Sequence, residues 1–302
     1  MCSNKQDRES SDFSYPSARQ LCREFNLQAK KHWGQNFLDR GLSIQKMLSP
    51  FNLSTDSCVL EIGPGLGHLS QAILARGARL LALEIDKDLG PVLGALEERY
   101  SNFQVLYGPA QAWDWGQLLS SCKGDSYVFG NLPYYLSSEL YAKALLEVGE
   151  ARGMSFLLQR EVAERFAHAP ASKLYGPLSV LGQSYGRVSL GERIKAAAFY
   201  PPPTIESRVL RLEKWPSPLL ASSSLPAYWA YLQAAFQNRR KTLMNNLARL
   251  GQEEGWESAD LSYIWKNAKI EPATRAEELS PSQHVEIFEA LESVNPSWGY
   301  EV

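Results

Sequence analysis

Cysteine is scarce in this chain. Four residues in 302, Cys2, Cys22, Cys58 and Cys122, stand far apart with no C-x-x-C pair. That spacing excludes a disulfide-stapled miniature domain and provides no zinc site, so buried or incidental free thiols are expected. Histidine is as rare: His32, His68, His168 and His284 show no H-E-x-x-H or other ligand spacing. Metal catalysis therefore has little support, and no metal is expected. Long apolar runs are missing as well. Leu80-Leu81-Ala82-Leu83 falls far short of the roughly 20 residues of a membrane-crossing helix. Residues Met1 to Ser10 contain no apolar signal core, and Asp7 and Glu9 argue against an organelle transit peptide. A soluble, cytoplasmic protein with no membrane attachment is the expectation.

The chain is nonetheless well supplied for folding. It is 44% hydrophobic and 21% charged, with eight Trp, enough to bury a core in one large or two modest domains. The formal net charge of -2 argues at first against a polyanionic partner. Its distribution argues the other way, since residues 151–214 carry ten basic and five acidic groups and residues 1–50 carry eight and five. Phosphate attraction depends on local potential within a Debye length of roughly 8–10 Å, so a basic face could hold nucleic acid. On charge alone, a solvated helix face is the favoured account of the pattern.

Ser17 to Leu27 spaces Ala18, Leu21, Cys22, Phe25 and Leu27 as a short amphipathic helix. From Cys58 onward, β-prone runs alternate with helical ones: Cys58–Ile62, Leu80–Ile85, Phe103–Tyr107, Tyr127–Gly130 and Met154–Leu158 are the strands. That alternation predicts a wound parallel α/β sheet with helices on both faces, closed by a last strand at Ser207 to Leu212. The Pro- and Ser-rich stretch from Trp215 to Pro226 reads as a linker, and the residues beyond it are helical in pattern. The boundary is expected near 214, dividing a catalytic domain, 1–214, from a smaller helical one, 215–302.

The first strand runs into Gly63-Pro64-Gly65-Leu66-Gly67. Glycines at a strand-to-helix turn let the backbone approach a ligand closely. A dinucleotide fingerprint would need a further glycine where His68 stands, which speaks against a nicotinamide cofactor. Glu84 lies 21 positions beyond Gly63, close to the roughly 20 expected of an acid that holds ribose hydroxyls. Adenosine with a small charged tail and no pyrophosphate fits this pattern. At the end of the fourth strand stands Asn131-Leu132-Pro133-Tyr134. An exocyclic amine on a base is a poor nucleophile, because its lone pair is delocalised into the ring. The Asn131 oxygen and a carbonyl beside Pro133 could accept its hydrogens while Tyr134 stacks on the base.

These motifs, in this order, resemble the ribosomal RNA adenine N6,N6-dimethyltransferase family from about Ser17 to Leu247. The likeness extends to Gly34-Gln35-Asn36-Phe37-Leu38, Leu83-Glu84-Ile85-Asp86, Gln159 to Arg165, Lys173-Leu174-Tyr175-Gly176, Phe199-Tyr200-Pro201-Pro202-Pro203 and Asn238-Arg239-Arg240-Lys241-Thr242-Leu243. The resemblance implies a Rossmann-like methyltransferase sheet with a smaller C-terminal helical domain. It further implies dimethylation of adjacent adenines near the 3′ end of small-subunit ribosomal RNA, with S-adenosyl-L-methionine as cofactor, by a monomer acting on that RNA or on a small-subunit precursor. Asn36, Leu38, Gly63, Gly65, Glu84, Ala110 and Asn131 are then the cofactor residues. Asn131, Pro133, Tyr134 and Phe199 surround the flipped adenine, with Phe199 as the second aromatic wall, and Arg160, Arg165, Lys173, Arg239, Arg240 and Lys241 meet RNA.

Two positions depart from the family. It usually has Gly-Asp-Ala where this chain has Gly108-Pro109-Ala110, and a basic residue where this chain has Pro177. The first removes the acceptor for the cofactor's adenine amine. A ribosome-assembly factor with weak or lost catalysis is therefore the alternative function. The related methyltransferases of large-subunit RNA fit less well, because the motifs around Lys173 and Arg239-Arg240-Lys241 look like the small-subunit branch.

Overall fold

The computed structural model describes residues 15–39, 41–253, 263–266, 268, 270–271 and 273–294. The chain begins with α1 (Ala18–Glu24), β1 (Phe37–Leu38) and α2 (Gly41–Leu48). Strands β2 (Cys58–Ile62), β3 (Arg79–Glu84) and β4 (Phe103–Tyr107) come next, interleaved with α3 (His68–Leu74) and α4 (Gly90–Arg99). After them stand α5 (Trp115–Leu119), β5 (Ser126–Asn131), α6 (Ser137–Glu147), β6 (Gly153–Gln159), α7 (Arg160–Phe166) and α8 (Pro177–Tyr185). The remainder holds β7 (Gly186–Ile194), β8 (Phe199–Tyr200), β9 (Ser207–Lys214), α9 (Leu225–Ala235), α10 (Leu243–Glu253) and α11 (Pro281–Val294).

Seven strands form one sheet in the order β4-β3-β2-β5-β6-β9-β7. The pairs from β4 to β6 are parallel, with Ile62 opposite both Leu83 and Gly130. The chain therefore winds outward from β2 in one direction, then returns to β5 and winds the other way. This reversal opens a crevice at the carboxyl ends of β2 and β5, where doubly wound sheets take ligands. Every residue of β2 is buried, as a central parallel strand covered on both faces requires.

The expected strands, and the helical tail among the described residues, are present. The sheet does not close on Ser207 to Leu212, however. Its edge is β7, whose glycines face β9 in antiparallel order, Gly186 against Glu213 and Gly191 against Val209. Its Arg187, Glu192 and Arg193, together with two glycines, hide a strand that is only half buried, and charge of this kind blunts a sheet edge against further pairing.

Cys58 and Cys122 are joined by a disulfide, contrary to the expectation of free thiols. Cys58 opens β2 and Cys122 precedes β5. The parallel register sets Cys58 opposite Ser126, which brings the two Cα atoms to 5.8 Å across 64 positions of sequence. Cys22 is buried and free.

The chain divides into two compact units. The first comprises 1–140, 151–160 and 190–211, and the second 141–150, 161–189 and 212–302. The carboxy-terminal part of the second begins close to the expected boundary, but this unit also claims two earlier segments. In it α8 packs against α9 and α11. Tyr228 and Tyr231 stack at 5.8 Å, with Phe288 against both.

Candidate active site

The crevice is built by three segments of the first unit. Gly63 and Gly65 have φ of +68° and +58°, in the left-handed region that favours glycine. A Cβ on Gly65 would lie 2.9 Å from Phe37 Cδ1, so this turn can pass beneath the Gly34–Leu38 segment only without a side chain. That segment is held on its other side by β1 pairing with β8, Leu38 opposite Phe199.

Two side chains tie the segment down. Asn131, at the end of β5, donates its Nδ2 to the backbone carbonyl of Asn36 at 2.9 Å. The acceptor is a carbonyl, so the amide nitrogen must face it, and the Oδ1 is the atom left for the cavity. On the β3 side, Asp86 is 1% exposed and accepts from Lys30 Nζ at 2.6 Å and Gln35 Nε2 at 2.8 Å. Lys30 also lies 4.6 Å above the Trp33 ring.

Glu84 ends β3 and is 4% exposed. Its Oε2 accepts from the Gly65 N–H at 3.1 Å and its Oε1 from the Asp86 N–H at 2.8 Å. Burial outweighs these bonds and lifts the carboxyl to about 7. Glu61 is wholly buried, accepts from Ser70 Oγ at 2.6 Å and is raised to about 8, chiefly by burial and further by Glu84.

A cavity is lined by Trp33, Asn36, Gly63, Glu84, Asn131 and Tyr134 among others. A neighbouring one between the glycine turn and β1 is lined by Leu38, Glu61 and Asn131. A third runs from Glu84 past Pro109, Ala110 and Gln111 to Pro133 and Tyr135. These residues fit an adenosine-type cofactor. A buried carboxylate flanked by backbone amides can accept a ribose diol, a glycine cradle stands beside it, and an apolar slot continues beyond.

Of the residues expected from sequence, Asn36, Leu38, Gly63, Gly65, Glu84, Ala110, Asn131, Pro133 and Tyr134 converge on these cavities. Tyr134 donates to or accepts from Ser207 Oγ at 2.9 Å, which fixes its ring. Phe199 stands elsewhere, 5% exposed within the core cluster behind β1, and lines none of the three cavities. His68 is buried at the start of α3 with Nε2 3.0 Å from the Pro16 carbonyl, a structural setting. Asp114 caps α5 by accepting from the Gln117 N–H. Trp33, Gln35, Glu61, Gln111 and Tyr135 join the cavities without any such expectation. Gln35 and Glu61 stand inside family motifs, but their neighbours carry the recognisable chemistry.

The basic residues are distributed over both units. Arg160 meets Glu206 at 3.2 Å in the first. In the second, Arg239 is bound to Glu277 through Nε at 2.8 Å, while Lys173, Arg240 and Lys241 are exposed, and Arg165 lies in the last turn of α7. Among the described residues no cluster of side chains could hold a metal ion, and no helix is long and apolar enough to cross a membrane.

Comparison with known proteins agrees with this geometry. The sequence profile of a family described as ribosomal RNA adenine dimethylase matches residues 26–293. A protein of Myxococcus xanthus named ribosomal RNA small subunit methyltransferase A is 35% identical, over 93% of this chain and 97% of its own length. One of the same name from an Anaeromyxobacter species is 39% identical, over 88% and 94%. A dimethyladenosine transferase of Plasmodium falciparum shares the fold with a TM-score of 0.70 at 20% identity, over 85% of this chain and 98% of that one. The 23S rRNA methyltransferase ErmE does so at 0.62 and 21%, over 85% and 100%.

Proposed function

The chain belongs to the ribosomal RNA adenine dimethylase family, and from that membership we propose that it dimethylates the N6 of adjacent adenines near the 3′ end of small-subunit ribosomal RNA. The observation that carries the reading is the Asn131 amide, anchored by its nitrogen to Asn36 with its oxygen free for an amine. S-adenosyl-L-methionine, when bound, supplies a methyl group on a sulfonium, ready to pass to a nucleophile. What this chain must do is make the adenine amine nucleophilic and hold it in line.

Asn131 Oδ1 accepts one hydrogen of the amine. The Leu132 carbonyl, from the residue that precedes Pro133 and lines the same cavity, is the second acceptor. With both hydrogens engaged, the nitrogen lone pair turns out of conjugation with the ring and toward the methyl carbon. The cofactor, when bound, would supply the methyl carbon, its bonding pair leaving with the sulfur. The charged amine then gives up a proton to water. Tyr134 stacks on the extruded base, a contact worth roughly 1–3 kcal/mol. Glu84 would hold the ribose hydroxyls, and the Gly63–Gly65 turn would take the methionine end. Phe199 acts from behind, by packing under β1.

Domain roles accord with the same reading. Residues 1–214 form the catalytic domain and 215–302 a helical domain that contacts ribosomal RNA. Arg165, Lys173, Arg240 and Lys241 meet phosphates, and Arg160 and Arg239 do so in competition with their carboxylate partners. Binding to small subunits should then weaken along a straight line on a log–log plot against salt.

The test is tritiated methyl transfer to small subunits from a strain lacking the modification, then primer extension across the 3′ region. Dimethylated adenines stop the copying enzyme, and two adjacent stops are expected. Labelled large subunits with unlabelled small ones would overturn the substrate. RNA binding without any transfer would favour the assembly-factor reading.

A further inference from the structure

Glu84 sets where a ribose would lie, and the cavity that leads from it toward Pro109 decides what sits on the ribose. Its walls are mostly apolar, among them Ile62, Leu83, Ile85, Pro109 and Leu140, with Trp33 on one side. Such a slot takes a flat heteroaromatic ring. A purine also brings an edge with its own donors and acceptors, and burying these unpaired costs affinity.

Few side chains in the slot can answer that edge. Pro109 has neither a polar side chain nor an N–H. Trp33 can only donate, and the Tyr135 hydroxyl belongs to a side chain 61% exposed to water. Gln111 stands on the short turn Ala110–Ala112, half-buried, and lines the slot together with Pro109 and Ala110. Among the residues that line the slot it carries the only carboxamide, a neutral acceptor of the kind an exocyclic amine needs.

We propose that Gln111 is the specificity-determining residue for the base of the cofactor, its Oε1 accepting a hydrogen from the 6-amino group. This rests on the reading that the cavity binds S-adenosyl-L-methionine. A neutral acceptor sets the scale of the selectivity. Net contributions of neutral hydrogen bonds correspond to about 2- to 13-fold in affinity, against about 10- to 150-fold for a charged acceptor.

The experiment is a cycle of two ligands against three proteins, read by calorimetry. The ligands are S-adenosylhomocysteine and its analogue in which hydrogen replaces the 6-amino group. The proteins are the native chain, Gln111→Met, which keeps the length of the side chain without its polar atoms, and Gln111→Glu. The native chain should prefer the amino ligand by about 2- to 13-fold, Gln111→Met should lose that preference, and Gln111→Glu should raise it by a further several-fold. An equal preference in the native chain and Gln111→Met overturns the assignment. So does a Gln111→Glu variant whose preference does not rise. If S-adenosylhomocysteine fails to bind the native chain at all, the cofactor reading itself falls, an outcome distinct from binding that ignores Gln111.

Discussion

The side-chain nitrogen of Asn131 lies 2.9 Å from the backbone oxygen of Asn36, a bond that spans 95 positions of sequence. It joins the end of β5 to the segment that covers the crevice, and it leaves the amide oxygen as the atom for the cavity. In the proposed reaction one residue serves as latch and acceptor. Asn131→Ala should lose about 10²-fold or more in methyl transfer, as removal of one transition-state acceptor does. Asn131→Asp should do no better, since a carboxylate at that site faces the Asn36 carbonyl with no proton to donate. Single-turnover rates check both, and native rates in either variant would refute the role.

Glu84 carries a pH dependence. Its carboxyl is raised to about 7 by burial, and ribose hydroxyls need the ionised form as acceptor. Affinity for S-adenosylhomocysteine should therefore rise from about pH 6 to about pH 8, with release of a proton on binding. For stability the sign is opposite. The folded chain holds this proton more tightly than the unfolded chain does, so the contribution of Glu84 to stability declines as pH climbs from about 4.5 through 7. Glu61, raised to about 8, adds a loss of the same sign. Calorimetry in buffers of different ionisation enthalpy counts the proton, and Glu84→Gln should abolish the count near neutral pH.

Gln35 anchors the covering segment to Asp86 at 2.8 Å. Gln35→Ala should weaken cofactor binding by about tenfold, at the lower end for a hydrogen bond to a charged group, with little change in RNA affinity. Gln35→Glu should be worse, because it sets a second carboxylate against Asp86. Equal cofactor affinity in all three proteins would show that the segment is held without this bond.

His284 is wholly buried, its Nε2 2.9 Å from the Ala276 carbonyl and its Nδ1 2.8 Å from the Tyr231 hydroxyl. The carbonyl requires a proton on Nε2, so Nδ1 accepts from Tyr231. Burial depresses the ring to about 4. The unfolded chain takes up this proton first, so stability from His284 is present above about 6.5 and is lost as pH falls toward 4. The ring resonances in NMR spectra should stay those of a neutral imidazole down to about pH 5.

The Cys58–Cys122 bridge closes a span of 64 positions. In the chain-entropy account, a loop of that size is worth roughly 4 kcal/mol. Oxidised protein should melt several degrees above Cys122→Ser, and a reductant should erase the difference. A Cys122→Ser variant that melts with the oxidised protein would mean that the bridge adds nothing.

By itself the sequence determined the α/β alternation, the glycine turn after β2, the acid at the end of β3 and the Asn131 motif. Each is legible because it rests on local rules. Strand and helix periods repeat within a few residues, left-handed turns demand glycine, and an acid's distance along a βαβ unit is set by helix length. Tertiary structure decided the rest. The edge strand β7, a third of whose residues are charged, has a partner that only the folded sheet supplies. Cys58 meets Cys122 because the β2–β5 register places them together. Phe199 turned inward because β8 pairs with β1, and the Leu38–Phe199 register buries it in the core behind β1. Gln111 carries no motif, and only the cavity beside Pro109 brings it to the place where a base would lie. Contacts between residues far apart in sequence depend on which strands pair and in what register, which the whole chain's packing sets and no local pattern encodes.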